Sequence, residues 1–266
     1  MNEERVRVSV DAAGVAEVAM VRTDKMNAID AAMFQALVDA IDTLRADTAV
    51  RAVVLHGEGR AFCAGLDMES FQRMGEGQGT QSLGLAAQMH GPANSFQQVG
   101  WGWRQLAIPV IAAVHGVAFG GGLQIALGAD IRCVRPDTKL SVMEIKWGLV
   151  PDMSGCVFLT ELTRADIARD LVFSGRIVLG EEAREIGLAT HVSEDPLAQA
   201  RTIARQIASS SPEAIRAGKR LLNGASPVAA ARVLQAEADE QARLIGSPNQ
   251  MEAVMAAMQK RAPVFR

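Results

Sequence analysis

Val6, Val8 and Val10 alternate with Arg7 and Ser9, Asp11-Ala12-Ala13-Gly14 supplies turn residues, and Val15-Ala16-Glu17-Val18-Ala19-Met20 follows. A period of two broken by a turn predicts an antiparallel hairpin. The period then lengthens. Met33, Phe34, Leu37, Val38, Ile41 and Leu44 recur at helical spacing behind Asp30, a residue type that accepts from first-turn amides, so a helix is predicted over 31–45. Three short apolar runs, 52–56, 110–114 and 131–134, read as strands. Between 69 and 100 the pattern dissolves: Gly75, Gly77, Gly79, Gly84 and Gly91 interrupt it, predicting a long loop that serves as a substrate lid or as surface chain. Trp101 and Trp103, just beyond, read as packing residues. Strands alternate with helices without a long linker, so residues 1–195 are expected to form one α/β unit. From 196 to 266 the pattern is helical, with segments at 196–209, 212–223, 228–245 and 249–259. This region is expected to pack on the core and on a neighbouring subunit.

Two of the strand runs end in glycine-bearing turns. The first is Gly59-Arg60-Ala61-Phe62-Cys63-Ala64-Gly65-Leu66-Asp67, and the second is Ala118-Phe119-Gly120-Gly121-Gly122-Leu123-Gln124. A strand that stops at small residues leaves main-chain N–H groups free, and glycine lets a ligand come close to them. Two such N–H groups, one from each turn, can stabilise charge on a carbonyl oxygen.

Composition narrows what such a pocket serves. The chain has 266 residues, is 49% hydrophobic and carries a net charge of −3. No dense basic block favours nucleic acid or an acidic membrane surface. The three cysteines, Cys63, Cys133 and Cys156, lack a CxxC spacing and read as reduced thiols. The polar start and the lack of a membrane-spanning run point to a cytoplasmic protein. Tyrosine is absent, which removes it as an acid or base.

Elimination then leaves carboxylates. There is no Gly-x-Ser-x-Gly elbow for a serine nucleophile, and Cys63 sits between Phe62 and Ala64 as a packing thiol would. The Gly120-Gly121-Gly122 run has neither the dinucleotide-binding spacing nor a P-loop lysine. Glu144 and Asp152, in contrast, are set into the apolar segment 141–152. Such surroundings raise a carboxyl pKa toward neutrality, where proton transfer is efficient. Each has a plainer reading: an ion pair with Lys146 for Glu144, and an N-cap of a helix starting near Ser154 for Asp152. An oxyanion pocket with proton-transfer carboxylates and no nucleophile implies enolate chemistry, for which a thioester is well suited.

The chain resembles the crotonase (enoyl-CoA hydratase/isomerase) superfamily over nearly its whole length. The resemblance is carried by Lys25-Met26-Asn27-Ala28, Ala61-Phe62-Cys63-Ala64-Gly65-Leu66-Asp67, Pro109-Val110-Ile111-Ala112-Ala113-Val114-His115-Gly116, Gly120-Gly121-Gly122, Glu144 with Gly148-Leu149-Val150-Pro151, and the closing Lys260-Arg261-Ala262-Pro263-Val264-Phe265. It implies a spiral of ββα units with a helical C-terminal trimerisation region, assembled as a homotrimer or a dimer of trimers. It implies that the Leu66 and Gly121 amides form the oxyanion hole, that Ala64 and the stretch Leu66, Asp67, Met68 and Glu69 line the acyl-CoA site, and that Lys25, Lys260 and Phe265 lie near the nucleotide of coenzyme A, within one subunit or across a subunit boundary. The substrate would be an acyl-CoA thioester, with no metal or redox cofactor.

Two positions depart from the hydratase pattern. Hydratases of this family grip one water with two glutamates, and the first of these positions is Gln124 here. Gln cannot take a proton as a base. Asp152 stands where hydratases commonly carry a small residue, whereas dienoyl-CoA isomerases resemble this chain in having an Asp there, though they carry an acid at position 124. Three readings result: an isomerase using Glu144 and Asp152, slightly favoured; a hydratase using Glu144 with Gln124 positioning water; and a non-catalytic acyl-CoA or RNA-binding relative, which the acidic balance disfavours.

Overall fold

The computed structural model describes residues 4–67, 90–224 and 227–265. Met68, Glu69 and most of the predicted 69–100 loop lie outside the described residues.

The predicted hairpin forms as β1 (Val6–Val10) and β2 (Val15–Met20), paired antiparallel with Val8 opposite Val18. α1 (Ala31–Ala46) follows, and Asp30 caps it by accepting from the Met33 amide at 2.8 Å. The apolar runs become β3 (Ala52–Gly57), β4 (Val110–Val114) and β6 (Ile131–Val134). β8 (His191–Val192) completes a six-stranded sheet of order β1-β2-β3-β4-β6-β8, parallel from β2 onward. A second, two-stranded parallel sheet joins β5 (Val117–Phe119) to β7 (Lys139–Ser141).

β3 and β4 are buried on both faces, which explains why they read as unbroken apolar runs. Alternate residues serve different layers. Val53, Leu55, Ala112 and Val114 join the main core beneath α1 and α2 (Ser95–Gln105). Ala52, Val54, Ile111 and Ala113 face Ala200, Ala204 and Ala208 of α7 (Pro196–Ala208). Alanine at every fourth position of α7 lets that helix approach the sheet closely.

α2 is a correction to the predicted loop, which was drawn through residue 100. Asn94 and Gln97 form a reciprocal capping box, each side chain bonding the other's main-chain amide. The glycines within α2 are contact points: a Cβ on Gly100 would lie 2.5 Å from the Met153 carbonyl oxygen, and one on Gly102 would lie 2.9 Å from Ile41. Trp103 is fully buried and Trp101 stacks on Phe158, as packing residues should.

Short helices α3 (Gly121–Leu127), α4 (Gly155–Leu162), α5 (Ala165–Ser174) and α6 (Gly180–Glu185) link the sheets. After α7, the chain closes with α8 (Pro212–Asn223), α9 (Pro227–Leu244) and α10 (Pro248–Met258), within one residue of the predicted limits. Leu234 of α9 packs on Ala93 and Val157, so the C-terminal region covers its own core. No described helix is long and apolar enough to cross a membrane.

Candidate active site

The first glycine turn is held between two other stretches of main chain. Phe62 and Cys63 donate to the carbonyls of His115 and Val117, and Phe119 donates back to Cys63. On the other side Ala64 donates to Met26, Ile29 to Gly65, and Asp67 to Ile29. Asn27 locks this side further. It is buried in a left-handed conformation, and its Nδ2 donates to the carbonyls of Glu58, Ala61 and Phe62 at 3.0, 2.9 and 3.2 Å. The Lys25-Met26-Asn27-Ala28 motif therefore includes a residue that shapes the turn.

The second turn lies against the first. Gly65 has φ of +89°, and a Cβ there would sit 2.6 Å from the Phe119 carbonyl oxygen and 3.9 Å from the Gly121 amide nitrogen. The Gly65–Leu66 peptide and the Gly121 amide are thus neighbours. Gly121 is the first residue of α3, where amides have no intrahelical acceptor. Among the described residues, the Leu66 and Gly121 amides both lack an acceptor.

Leu66 and Gly121 line a cavity of about 530 Å³. Phe34, Phe96, Phe119, Trp147, Leu149, Met153 and Ile245 supply apolar wall, and Phe34 meets Phe96 edge to face at 5.0 Å. Glu144 and Asp152 line the same cavity. Lys25 and Arg60, both exposed, stand at the rim with Asp24.

Glu144 opens a tight 3-10 turn, Glu144–Trp147, which Gly148 closes at φ of +67°. The side chain points inward and is 8% exposed. Its Oε1 accepts from Gln124 Nε2 at 2.6 Å, while its buried Oε2 has no partner among the described residues. Burial pushes this carboxyl up to about 7, against the pull of its own amide and of Gln124. Lys146 does not pair with it; the Lys146 ammonium lies over the Trp147 ring, 5.4 Å from its centroid.

Asp152 does not cap α4. Gln124 Oε1 accepts from the Met153 and Gly155 amides, both at 2.8 Å, and Glu237 of α9 accepts from those of Ser154 and Cys156 at 3.0 and 2.9 Å. With the first turn of α4 served by others, the Asp152 carboxyl is left to the cavity. Burial and the nearby Glu144 charge push it up to about 7, while its own amide and the Gln241 side chain pull it down. Cys63 is a packing thiol: it is fully buried, and burial pushes it up to about 12.

Of the residues expected at the site, Lys25, Ala64, Leu66, Asp67, Gly121, Glu144 and Asp152 line the one cavity. Gln124 does not; it is buried behind the wall, its amide oxygen and nitrogen both engaged. Its side chain supports the Glu144 carboxyl and the Met153 and Gly155 amides. Lys260 and Phe265 are exposed at the C-terminus and do not reach this cavity. Gln241 and Ile245 of α9, which also line the cavity, were missed; the spacing of Gln241 from Leu234 and Glu237 on one helix face was the available signal. Among the described residues, no three His, Cys, Asp or Glu side chains are grouped to hold a metal ion.

The enoyl-CoA hydratase/isomerase family model matches residues 11–266. The chain is 28% identical to mouse (Mus musculus) mitochondrial methylglutaconyl-CoA hydratase over 100% of its own length and 84% of that protein. It is 27% identical to the mitochondrial Delta(3,5)-Delta(2,4)-dienoyl-CoA isomerase of Dictyostelium discoideum, covering 96% of this chain and 89% of that one. The crystal structure of carnitinyl-CoA hydratase from Mycobacterium avium superposes with a TM-score of 0.85 at 27% identity, over 100% of this chain and 99% of that one.

Proposed function

The chain belongs to the enoyl-CoA hydratase/isomerase family, and from that premise we propose that it shifts a double bond in an enoyl- or dienoyl-CoA thioester. The thioester oxygen sits between the Leu66 and Gly121 amides, which stabilise the enolate formed when a proton leaves. One carboxylate, Glu144 or Asp152, takes that proton, and the other delivers a proton to a different carbon of the conjugated system. Lys25 and Arg60 at the rim meet the phosphates of coenzyme A, which arrives as part of the substrate. No metal or redox group takes part in this reading.

One observation carries the preference for isomerisation over hydration. Two carboxylates with raised pKa share the cavity wall, while Gln124, the position from which a hydratase would grip water, is engaged behind it. Assembly as a homotrimer or a dimer of trimers is part of the proposal; exposed Phe173, Leu221, Leu222 and Phe265 offer apolar contact surface.

The test is a panel of enoyl- and dienoyl-CoA thioesters incubated in heavy water and read by mass spectrometry. Isomerisation gives deuterium uptake without the mass of an added water, and Asp152→Asn abolishes it. Net water addition that survives Asp152→Asn unchanged reverses the assignment in favour of a hydratase.

A further inference from the structure

Gln124 is buried on α3, three residues beyond the Gly121 amide. Its side-chain amide can be turned only one way. Oε1 accepts from the Met153 and Gly155 amides, both at 2.8 Å, and a nitrogen in that place would set donor against donor. Nε2 is therefore directed at Glu144 Oε1, 2.6 Å away. Gly155 lets the oxygen in, for a Cβ there would lie 2.5 Å from it. The Glu144 carboxyl lies against the second glycine turn: a Cβ on Gly120 would meet its Oε1 at 3.2 Å and its Oε2 at 4.0 Å. One side chain thus joins three parts of the cavity. They are the helix that presents the Gly121 amide, the Glu144 carboxyl, and the main chain that follows Asp152.

We propose that Gln124 is the positioning residue for Glu144, itself held through its oxygen, and that even a carboxyl at position 124 would not take part in the chemistry. The inference rests on the reading of Glu144 as a proton-transfer group. The Nε2 donor fixes the direction of the Glu144 carboxyl and favours its charged form. It also decides where the proton of the neutral acid sits. Oε1 faces an N–H, whereas Oε2 has no partner among the described residues, so the proton is on Oε2. The titratable neighbours do not do this work. Asp152 and Cys156, which feel the Glu144 charge, are both acids. Lys146 lies over Trp147. In the helices packed on the 3-10 turn, Asp170 of α5 pairs with Arg176 and Glu252 of α10 with Arg261. Without the Gln124 donor, Glu144 stays protonated to higher pH and its carboxyl loses a fixed direction.

The experiment uses the full chain with carbon-13 in its glutamate carboxyls, the Glu144 signal being assigned by its loss in Glu144→Gln. In Gln124→Met, which removes both ends of the amide, the titration midpoint of Glu144 rises by about one pH unit. Turnover of an active thioester from the panel falls roughly 10-fold or more in kcat, with KM little changed, because a carboxyl out of place reacts poorly. Should Gln124→Met not fold, Gln124→Glu serves, for it keeps the shape and the acceptor for Met153 and Gly155. Two carboxyls in contact share one proton, so the last proton leaves at higher pH than it leaves wild-type Glu144. Gln124→Glu gains no water addition. Placed in the Glu144→Gln background it stays within about twofold of Glu144→Gln alone, since its oxygen is taken by two amides. An unmoved midpoint in a folded variant, or water addition or recovered turnover brought by Gln124→Glu, overturns the proposal. If Glu144→Gln alone leaves turnover intact, it is the proton-transfer reading of Glu144 that fails.

Discussion

The two walls of the cavity are made of different material. The wall carrying Leu66 and Gly121 is main chain held by main chain: the segments around Met26, Cys63 and Val117 exchange carbonyl–amide bonds, and side chains contribute little beyond Asn27. The wall carrying Glu144 and Asp152 is the reverse. Its acids are placed by side chains from distant parts of the sequence, Gln124, Glu237 and Gln241, each reaching into a segment it does not belong to. The difference matches the chemistry we propose. A pocket for one oxygen needs two N–H groups at fixed spacing, which any sequence able to form the turns provides. Proton transfer at two carbons needs side chains with tuned acidity, and tuning is done by neighbours. Substitutions on the first wall should therefore matter only where a glycine is required, and on the second wherever a polar partner is lost.

The largest effect should come from the second wall. Glu144→Gln keeps shape and packing but removes the proton acceptor, and turnover should fall by about 10² to 10⁴ with the thermal midpoint nearly unchanged. Steady-state kinetics alongside thermal denaturation checks both halves; a variant that keeps a tenth of wild-type kcat would remove Glu144 from the chemistry. Next comes Gly65→Ala on the first wall. The added Cβ meets the Phe119 carbonyl at 2.6 Å in a backbone conformation at φ of +89°. Spreading the two amides should lower kcat by about 10² to 10³, with a loss of stability of about 1–3 kcal/mol. A fully active, fully stable Gly65→Ala would mean that the amides need not converge.

A third effect is visible without substrate. Glu144 and Asp152 are pushed up to about 7 and Glu237 to about 8, each above its ordinary value of 4.5, 3.8 and 4.5 respectively. The folded chain therefore holds these protons more tightly than the unfolded chain. Their contribution to stability is complete below the unfolded values and is lost as pH rises through 7 to 8. Stability should fall between pH 5 and pH 8, by denaturant titration, and Asp152→Asn should flatten part of that slope. An unchanged slope would place Asp152 in contact with water rather than in the protein.

The same division decides what the sequence made legible. The main-chain wall was readable because its requirements are local: apolar runs that stop at glycine, and Asp30 ahead of a helical period. The side-chain wall was half readable. Glu144 and Asp152 stood out as acids in an apolar segment, but their surroundings did not, because Gln241 follows Val150 by 91 positions and meets its amide only through the packing of α9. Gln124 was seen as a missing base, yet its service to Glu144 and to the Met153 and Gly155 amides is a property of the folded chain. α2 was missed for a related reason. Gly100 and Gly102 look like helix breakers in isolation, whereas here they let the helix approach the Met153 carbonyl and Ile41.

The smallest effect tests the main-chain wall from within. Cys63 lies inside the first turn, its backbone bonded to Val117 and Phe119 and its thiol donating to the Asn27 carbonyl at 3.1 Å. If that wall is placed by backbone, Cys63→Ala leaves the Leu66 and Gly121 amides where they are. The thiol is fully buried and holds its proton to about pH 12, so it has no means of acting as a nucleophile. Cys63→Ala should leave kcat and KM within about twofold and reduce stability by roughly 1 kcal/mol, measured by assay and urea titration on one preparation. A loss of turnover without a loss of stability would mean that a side chain matters on the wall where none should, and the contrast between the two walls would no longer hold.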